Sequence, residues 1–223
     1  MTDSVWIVVV ARVGSAAKSR MAGSLSADQR RMLALAMLAD VIAVCRQARG
    51  IVDGTLAVVD EPAARAVASR GGALAIADPG TGDMNAAVAA GVAAVRKLGA
   101  GSVLIVPGDV PLISVDDLQA LLDAAGTAPR AVVIGASHDG HGTNALLLRP
   151  PNVIGPAFGP PSVGRHVQLG FAADARTLVR AGLGLALDID TPDDLRTLSC
   201  GRIWAHMAEV LPGLLEQHAF VRA

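Results

Sequence analysis

Val5-Trp6-Ile7-Val8-Val9-Val10 is an unbroken apolar, β-branched run, followed at once by Arg12-Val13-Gly14-Ser15-Ala16-Ala17-Lys18-Ser19-Arg20. A strand apolar at every position has no solvent side, so it belongs inside a sheet covered on both faces. The run falls well short of the roughly 18 residues of a membrane span. It also lacks the basic leader and small-residue cleavage site of a signal peptide. A cytoplasmic protein is expected.

Working outward, the chain alternates β-rich runs with helical stretches. Ser26, with Gln29 three residues on, opens a helix to about Ala48 in a capping-box pattern. Strands are expected at Thr55–Val59, Ala73–Ala77 and Ser102–Val106, with helices at Pro62–Ser69 and Asp83–Leu98 between them. Ser114 and Asp117 cap a further helix ending near Gly126. Ala131–Gly135 and Asn144–Leu148 read as two strands joined by the turn-rich 137–142, consistent with a hairpin. After a Pro/Gly-rich loop, a helical stretch is expected near Val163–Ala181 and a last strand at Leu183–Leu187. Thr191-Pro192-x-Asp194 then starts a helix, and the tail reads as interrupted at Pro212-Gly213. This order predicts a three-layer α/β/α fold with a mainly parallel sheet. Residues 1–198 form one domain on this reading, and 199–223 a helical tail.

Composition supports that class. The chain has 223 residues, 52% of them hydrophobic, and a net charge of −1, which disfavours a nucleic-acid or membrane-surface partner needing a broad basic face. Cys45 and Cys200 are too few and too distant to form a disulfide framework, and are expected as buried free thiols.

Ligands of such folds bind outside the carboxyl ends of the strands. There the first loop, with Gly14, Lys18 and Arg20, suits a triphosphate, although no glycine precedes Lys18 as in a Walker loop. Pro107-Gly108-Asp109-Val110-Pro111 places a carboxylate at a strand end, as a Mg²⁺ ligand or an Asx-turn residue. Strand alternation would put Asp188 and Asp190 on one side, either able to supply a second carboxylate. Asp193 and Asp194 are assigned to the next helix's dipole. Asp83 and Asn85 lie past the third strand, where the Asn85 amide either reads a base edge or caps a turn. Ser162, before a helix, suits a phosphate. His138 and His141 lack zinc-like partners and read as turn residues.

Together these segments resemble the guanylyltransferases that make the side-chain precursor of the deazaflavin coenzyme F-420. The resemblance runs from about Val5 to Leu198 in matching order. It is carried by Lys18-Ser19-Arg20-Met21, Leu25-Ser26-x-x-Gln29-Arg30, Ala36-Met37-Leu38-x-Asp40, Asp83-Met84-Asn85, Gly108-Asp109-Val110-Pro111, Gly142-Thr143-Asn144-Ala145-Leu146, Phe158-Gly159-Pro160-x-Ser162 and Asp188-Ile189-Asp190-Thr191-Pro192. It implies the nucleotidyltransferase, glycosyltransferase-A-like fold, and transfer of GMP from GTP to 2-phospho-L-lactate, phosphoenolpyruvate or 3-phospho-D-glycerate with release of diphosphate. On this resemblance Lys18, Arg20 and Asp109 are catalytic, and Gly14, Lys18, Asp83 and Asn85 contact GTP. Mg²⁺ falls to Asp109, Asp188 and Asp190. Gly159 and Ser162 hold the acid, with Thr143 as a third contact whose strict-register alternative is Ala145. A homodimer, and hand-over of the unstable product to the next enzyme, are compatible partners. Two rivals stand beside this reading: an enzyme of the same fold using a sugar phosphate or molybdopterin, and a non-catalytic nucleotide-binding protein.

Overall fold

A computed structural model describes residues 4–14, 17–199 and 205–217. Its centre is a seven-stranded sheet in the order β3-β2-β1-β4-β6-β5-β7. The first four strands of the chain are β1 (Val5–Ala11), β2 (Gly54–Val59), β3 (Leu74–Ala77) and β4 (Ser102–Pro107). All pair in parallel, with β1 between β2 and β4. Then β5 (Ala131–Ala136) and β6 (Thr143–Arg149) form the expected hairpin. Inserted beside β4, β6 is antiparallel to both its neighbours.

The helices are α1 (Ala27–Gln47), α2 (Pro62–Arg70), α3 (Met84–Lys97), α4 (Val115–Ala125) and α5 (Ser162–Ala172). Both capping boxes read from the sequence are formed, Ser26 with Gln29 and Ser114 with Asp117. The all-apolar first strand is explained by the layers on either side. Ile7 and Val9 pack with Leu38 and Val41 of α1 and Leu118 and Leu121 of α4. Val8 and Val10 face the other way, into a core with Ala87, Val88 and Val95 of α3. On α3, a Cβ at Gly91 would stand 2.5 Å from Val8 Cγ1 and 2.9 Å from Val58 Cγ2, so the glycine sets how closely that helix lies on the sheet.

The expected last strand is corrected. The strand is β7 (Arg176–Arg180), parallel to β5 at the sheet's edge, and the helix before it already ends at Ala172. Asp174 turns the chain there with a left-handed φ of 50°, a conformation Asp tolerates. Leu183–Ala186 is instead a single helical turn, α6. Its carbonyls are met by the hairpin tip, not by a strand ladder: Asn144 Nδ2 donates to Leu185 O at 2.8 Å and the His138 N–H to Ala186 O at 2.8 Å.

After α7 (Pro192–Ser199), the helix α8 (Ala205–Gln217) continues through Pro212, where the sequence suggested a break. Met207, Leu211 and Leu214 recur at helical spacing and bury against Leu33 and Met37 of α1, and that packing outweighs the lost backbone bond. The start of α8 is capped from outside. Asp40, buried on α1, accepts the N–H of His206 at 3.0 Å and of Met207 at 2.9 Å, and meets His206 Nδ1 at 2.7 Å. Cys45 is a buried free thiol, and Cys200 lies outside the described residues. No helix among the described residues is long and apolar enough to cross a membrane.

Candidate active site

A cleft of about 900 Å³ opens at the carboxyl edge of β1 and β4 and extends over the start of β6. Its first wall is the loop after β1. Arg12 leaves the strand end to bond Asp78 Oδ2 at 3.1 Å and Gly82 O at 2.6 Å, tying this loop to the one before α3. The N–H groups of Val13 and Gly14 donate to the carboxylate of Asp60, just past β2, at 2.9 and 3.1 Å. Lys18 follows in a left-handed conformation, φ 50°, costing on the order of 1 kcal/mol for a residue with a Cβ. Arg30 of α1 secures the loop from behind, its Nε donating to Ala17 O at 3.1 Å.

That backbone turn sends the Lys18 side chain inward, where it is only 7% exposed. Its ammonium lies 2.6 Å from Asp109 Oδ2 and 2.8 Å from Asp190 Oδ1. Burial by itself disfavours the charged ammonium, but the two carboxylates outweigh it and hold the Lys18 pKa above its ordinary value. Asp190 shows the converse: burial pushes its pKa up, and the Lys18 charge brings it below the usual carboxylate range. Arg20 reaches Asp190 Oδ2 at 3.4 Å from an exposed position and adds little in water.

Asp109 is set by a close backbone approach. The Gly108 N–H donates to Val10 O at 2.8 Å, and a Cβ at Gly108 would stand 2.6 Å from that of Ala11. Behind Asp190, Thr191 Oγ1 caps α7 by accepting the Asp194 N–H at 3.3 Å. The Asp194 carboxylate accepts the N–H groups of Thr191 at 2.7 Å and Asp190 at 3.0 Å, so it orients a site residue as well as meeting a helix dipole. Asp188 is held by Asn144 Nδ2 at 3.2 Å, and burial, then the nearby Asp109 charge, raises its pKa. Asp188 and Asp190 lie on irregular chain after α6, not on the strand whose alternation was to align them. Among the described residues no three acidic, His or Cys side chains converge as a metal-binding set. Asp109 and Asp190 nevertheless supply the hard oxygen donors that Mg²⁺ takes, and one or two carboxylates plus substrate phosphates are its usual shell.

The second wall carries the other predicted residues. Thr143 begins β6, and Ser162 begins α5 as its first helical residue, not its N-cap. Both are buried, and Ser162 Oγ lies 2.9 Å from Thr143 Oγ1. Gly159 stands between Phe158 and Pro160 with φ 96°, left-handed backbone that a Cβ would strain. Ala145, the alternative to Thr143, is buried in the sheet core and does not line the cleft.

Asp83 and Asn85 stand at the start of α3. The Asp83 carboxylate caps α3, accepting the Asn85 N–H at 2.9 Å. The Asn85 amide is committed at both ends to Phe158, accepting from its N–H at 2.7 Å and donating to its carbonyl at 3.2 Å. Asn85 thus ties the Gly159 loop to α3, while its amide keeps a second N–H and a second oxygen lone pair. Arg165 holds the same loop through Ala157 O at 3.1 Å, Phe158 O at 3.0 Å and Gly159 O. The turn histidines His138 and His141 line the cleft's rim. Asp60 and Asn144 are site residues to which the sequence motifs gave no role; each acts through a partner distant in the chain.

Comparison with known proteins identifies the family and the fold. The family model described as "Guanylyl transferase CofC like" matches residues 5–202. A phosphoenolpyruvate guanylyltransferase of Conexibacter woesei is 43% identical over 182 residues, covering 82% of this chain and 81% of that protein. Among solved structures, a putative nucleotide-diphospho-sugar transferase from Desulfovibrio desulfuricans G20 superposes with a TM-score of 0.73 at 17% identity, covering 98% of this chain and 99% of that one. A 4-diphosphocytidyl-2C-methyl-D-erythritol synthase from Anaerococcus prevotii gives 0.63 at 12% identity, covering 89% and 97%. At these identities the structural neighbours speak for the α/β nucleotidyltransferase fold alone.

Proposed function

The chain belongs to the CofC-like guanylyl transferase family, and we propose that within it this nucleotidyltransferase moves GMP from GTP onto a small phosphorylated acid, in the assembly of coenzyme F-420. Phosphoenolpyruvate is the first candidate, because a relative that carries its name is 43% identical; 2-phospho-L-lactate and 3-phospho-D-glycerate are the alternatives. An acceptor phosphate oxygen attacks the α-phosphorus of GTP, the bond from that phosphorus to the bridging β-oxygen breaks, and diphosphate leaves. The attacking oxygen is already ionised near neutral pH, so no side chain need take a proton from it.

The observation that carries this reading is the pairing, in one cleft, of a buried ammonium with a buried hydroxyl pair, Lys18 on one wall and Thr143–Ser162 on the other. The chain's own work is then positioning and charge. Gly14 and Lys18 receive the triphosphate, Lys18 and Arg20 favour the departing diphosphate, and Gly159, Ser162 and Thr143 seat the acid. Asp109 and Asp190, with Asp188 beside them, would hold Mg²⁺, which withdraws charge from phosphate oxygens when bound.

Incubating the protein with GTP, Mg²⁺ and each acid in turn, and following diphosphate, tests the reading. Diphosphate should appear with phosphoenolpyruvate, and GTP should be used ahead of ATP, CTP and UTP. Release with none of the three acids would overturn it.

A further inference from the structure

His166 is fully buried, one turn along α5 from Ser162, and both of its ring nitrogens are engaged. The Ala157 N–H donates to Nε2 at 3.1 Å, so Nε2 presents a lone pair. The ring proton of the neutral imidazole is then on Nδ1, which faces Thr143 Oγ1 at 3.1 Å. The lock is firm, because Ala157 is itself fixed through its carbonyl by Arg165 at 3.1 Å. The edge of the ring is braced by Phe158, with centroids 5.1 Å apart at 73°.

The tautomer decides what the hydroxyl pair offers the cleft. With the proton on Nδ1, the Thr143 oxygen accepts from the ring, and a single hydroxyl proton is used in the 2.9 Å bond between Thr143 and Ser162. The second hydroxyl proton remains, and both residues line the cleft. With the proton on Nε2, Thr143 would donate to Nδ1 and Ser162 to Thr143. Both protons would be consumed, and the pair would turn only lone pairs to the ligand, repelling an anion.

The geometry points to His166 as a positioning residue: its main-chain-locked tautomer makes the Thr143–Ser162 pair a net donor, so that the subsite takes an acceptor-only, anionic oxygen. The identity of that anion, a phosphorylated acid, rests on the function proposed above; the polarity of the subsite does not.

Two measurements test this on the full chain. In protein labelled with ¹⁵N-histidine, long-range ¹H–¹⁵N spectra at neutral pH should show His166 protonated at Nδ1 and bare at Nε2. An Nε2–H tautomer overturns the proposal whether or not substrate turns over. In kinetics, His166→Leu should raise KM for phosphoenolpyruvate about tenfold and leave KM for GTP within about twofold. His166→Asn, whose amide N–H can replace the Nδ1 donor, should recover most of that loss. Equal rises in both KM values, or no rise for the acid, would overturn it. Should the leucine variant fail to fold, Thr143→Val removes the same acceptor and is expected to give the same split. If wild-type protein makes no diphosphate with any of the acids, the functional reading falls, and the tautomer spectrum still decides this one.

Discussion

The ammonium of Lys18 lies 2.6 Å from Asp109 Oδ2 across 91 residues of sequence. The pair joins the loop after the first strand to the loop after the fourth, and Asp190 closes it from the third side at 2.8 Å. One buried cation thus neutralises carboxylates that would otherwise repel one another.

Removing either partner should have separable effects. Asp109→Asn is isosteric and leaves Lys18 paired with Asp190. Diphosphate release should fall by about 10²–10³-fold, with the unfolding midpoint in urea little changed. Lys18→Met leaves clustered carboxylates without their counter-charge, so it should also lower stability, by about 1–3 kcal/mol. Near-wild-type turnover in the Asn variant would take Asp109 out of the chemistry.

Asn85→Ala breaks both bonds to Phe158. The Gly159 loop should loosen, raising KM for the acid and lowering stability by about 1–2 kcal/mol. The ratio of kcat/KM for GTP over ATP should stay as in the wild type. A collapse of that ratio would instead put the Asn85 amide against the base.

Asp40 caps α8 from the flank of α1 through the N–H groups of His206 and Met207. Asp40→Ala leaves those donors unmet, at a cost of about 2–3 kcal/mol. Hydrogen exchange should then quicken at the start of α8 and leave the strands protected. Uniform acceleration over the whole sheet would show that α8 does not open as a local unit.

His166 gives a pH signature. Burial, with a smaller contribution from the always-charged Arg165, lowers its pKa from 6.5 to about 4. Between those values the unfolded chain binds a proton that the folded protein refuses, so stability rises with pH across that window. The contribution is present above about pH 6.5 and is lost as pH falls toward 4, amounting to up to about 3 kcal/mol. Urea unfolding at several pH values should show a flatter profile for His166→Asn than for the wild type. Parallel profiles would remove His166 as the titrating group.

The legible parts of this chain were those governed by neighbours in sequence. The VWIVVV run, buried on both faces, and the Ser26–Gln29 and Ser114–Asp117 boxes are local patterns, and each formed where it was read. Asp109 was legible because Gly108 and the flanking prolines restrict the backbone around it. β7 was not, because Arg176-Thr177-Leu178-Val179-Arg180 is an edge strand with charged ends and no fully buried position, lacking the apolar run that marks the central strands. Leu183–Leu187 has that apolar character, but its carbonyls find Asn144 and His138 before any strand partner. The continuity of α8 depends on a face of α1 about 170 residues upstream, and Asn85 on Phe158, 73 residues away. Residues whose partners lie so far off carry no local sign of what they hold.

Because β6 runs against its neighbours, its first residue, Thr143, stands at the edge where β1 and β4 finish. The proposed acceptor side therefore hangs on a hairpin tip, while the proposed triphosphate side hangs on crossover loops of the parallel strands. A change of length at 137–142 alters the rim above Thr143 and leaves the spacing of Lys18 and Asp109 untouched. The architecture thus gives the two proposed substrate sides separate anchors on a single sheet, so that one can be re-cut without rebuilding the other.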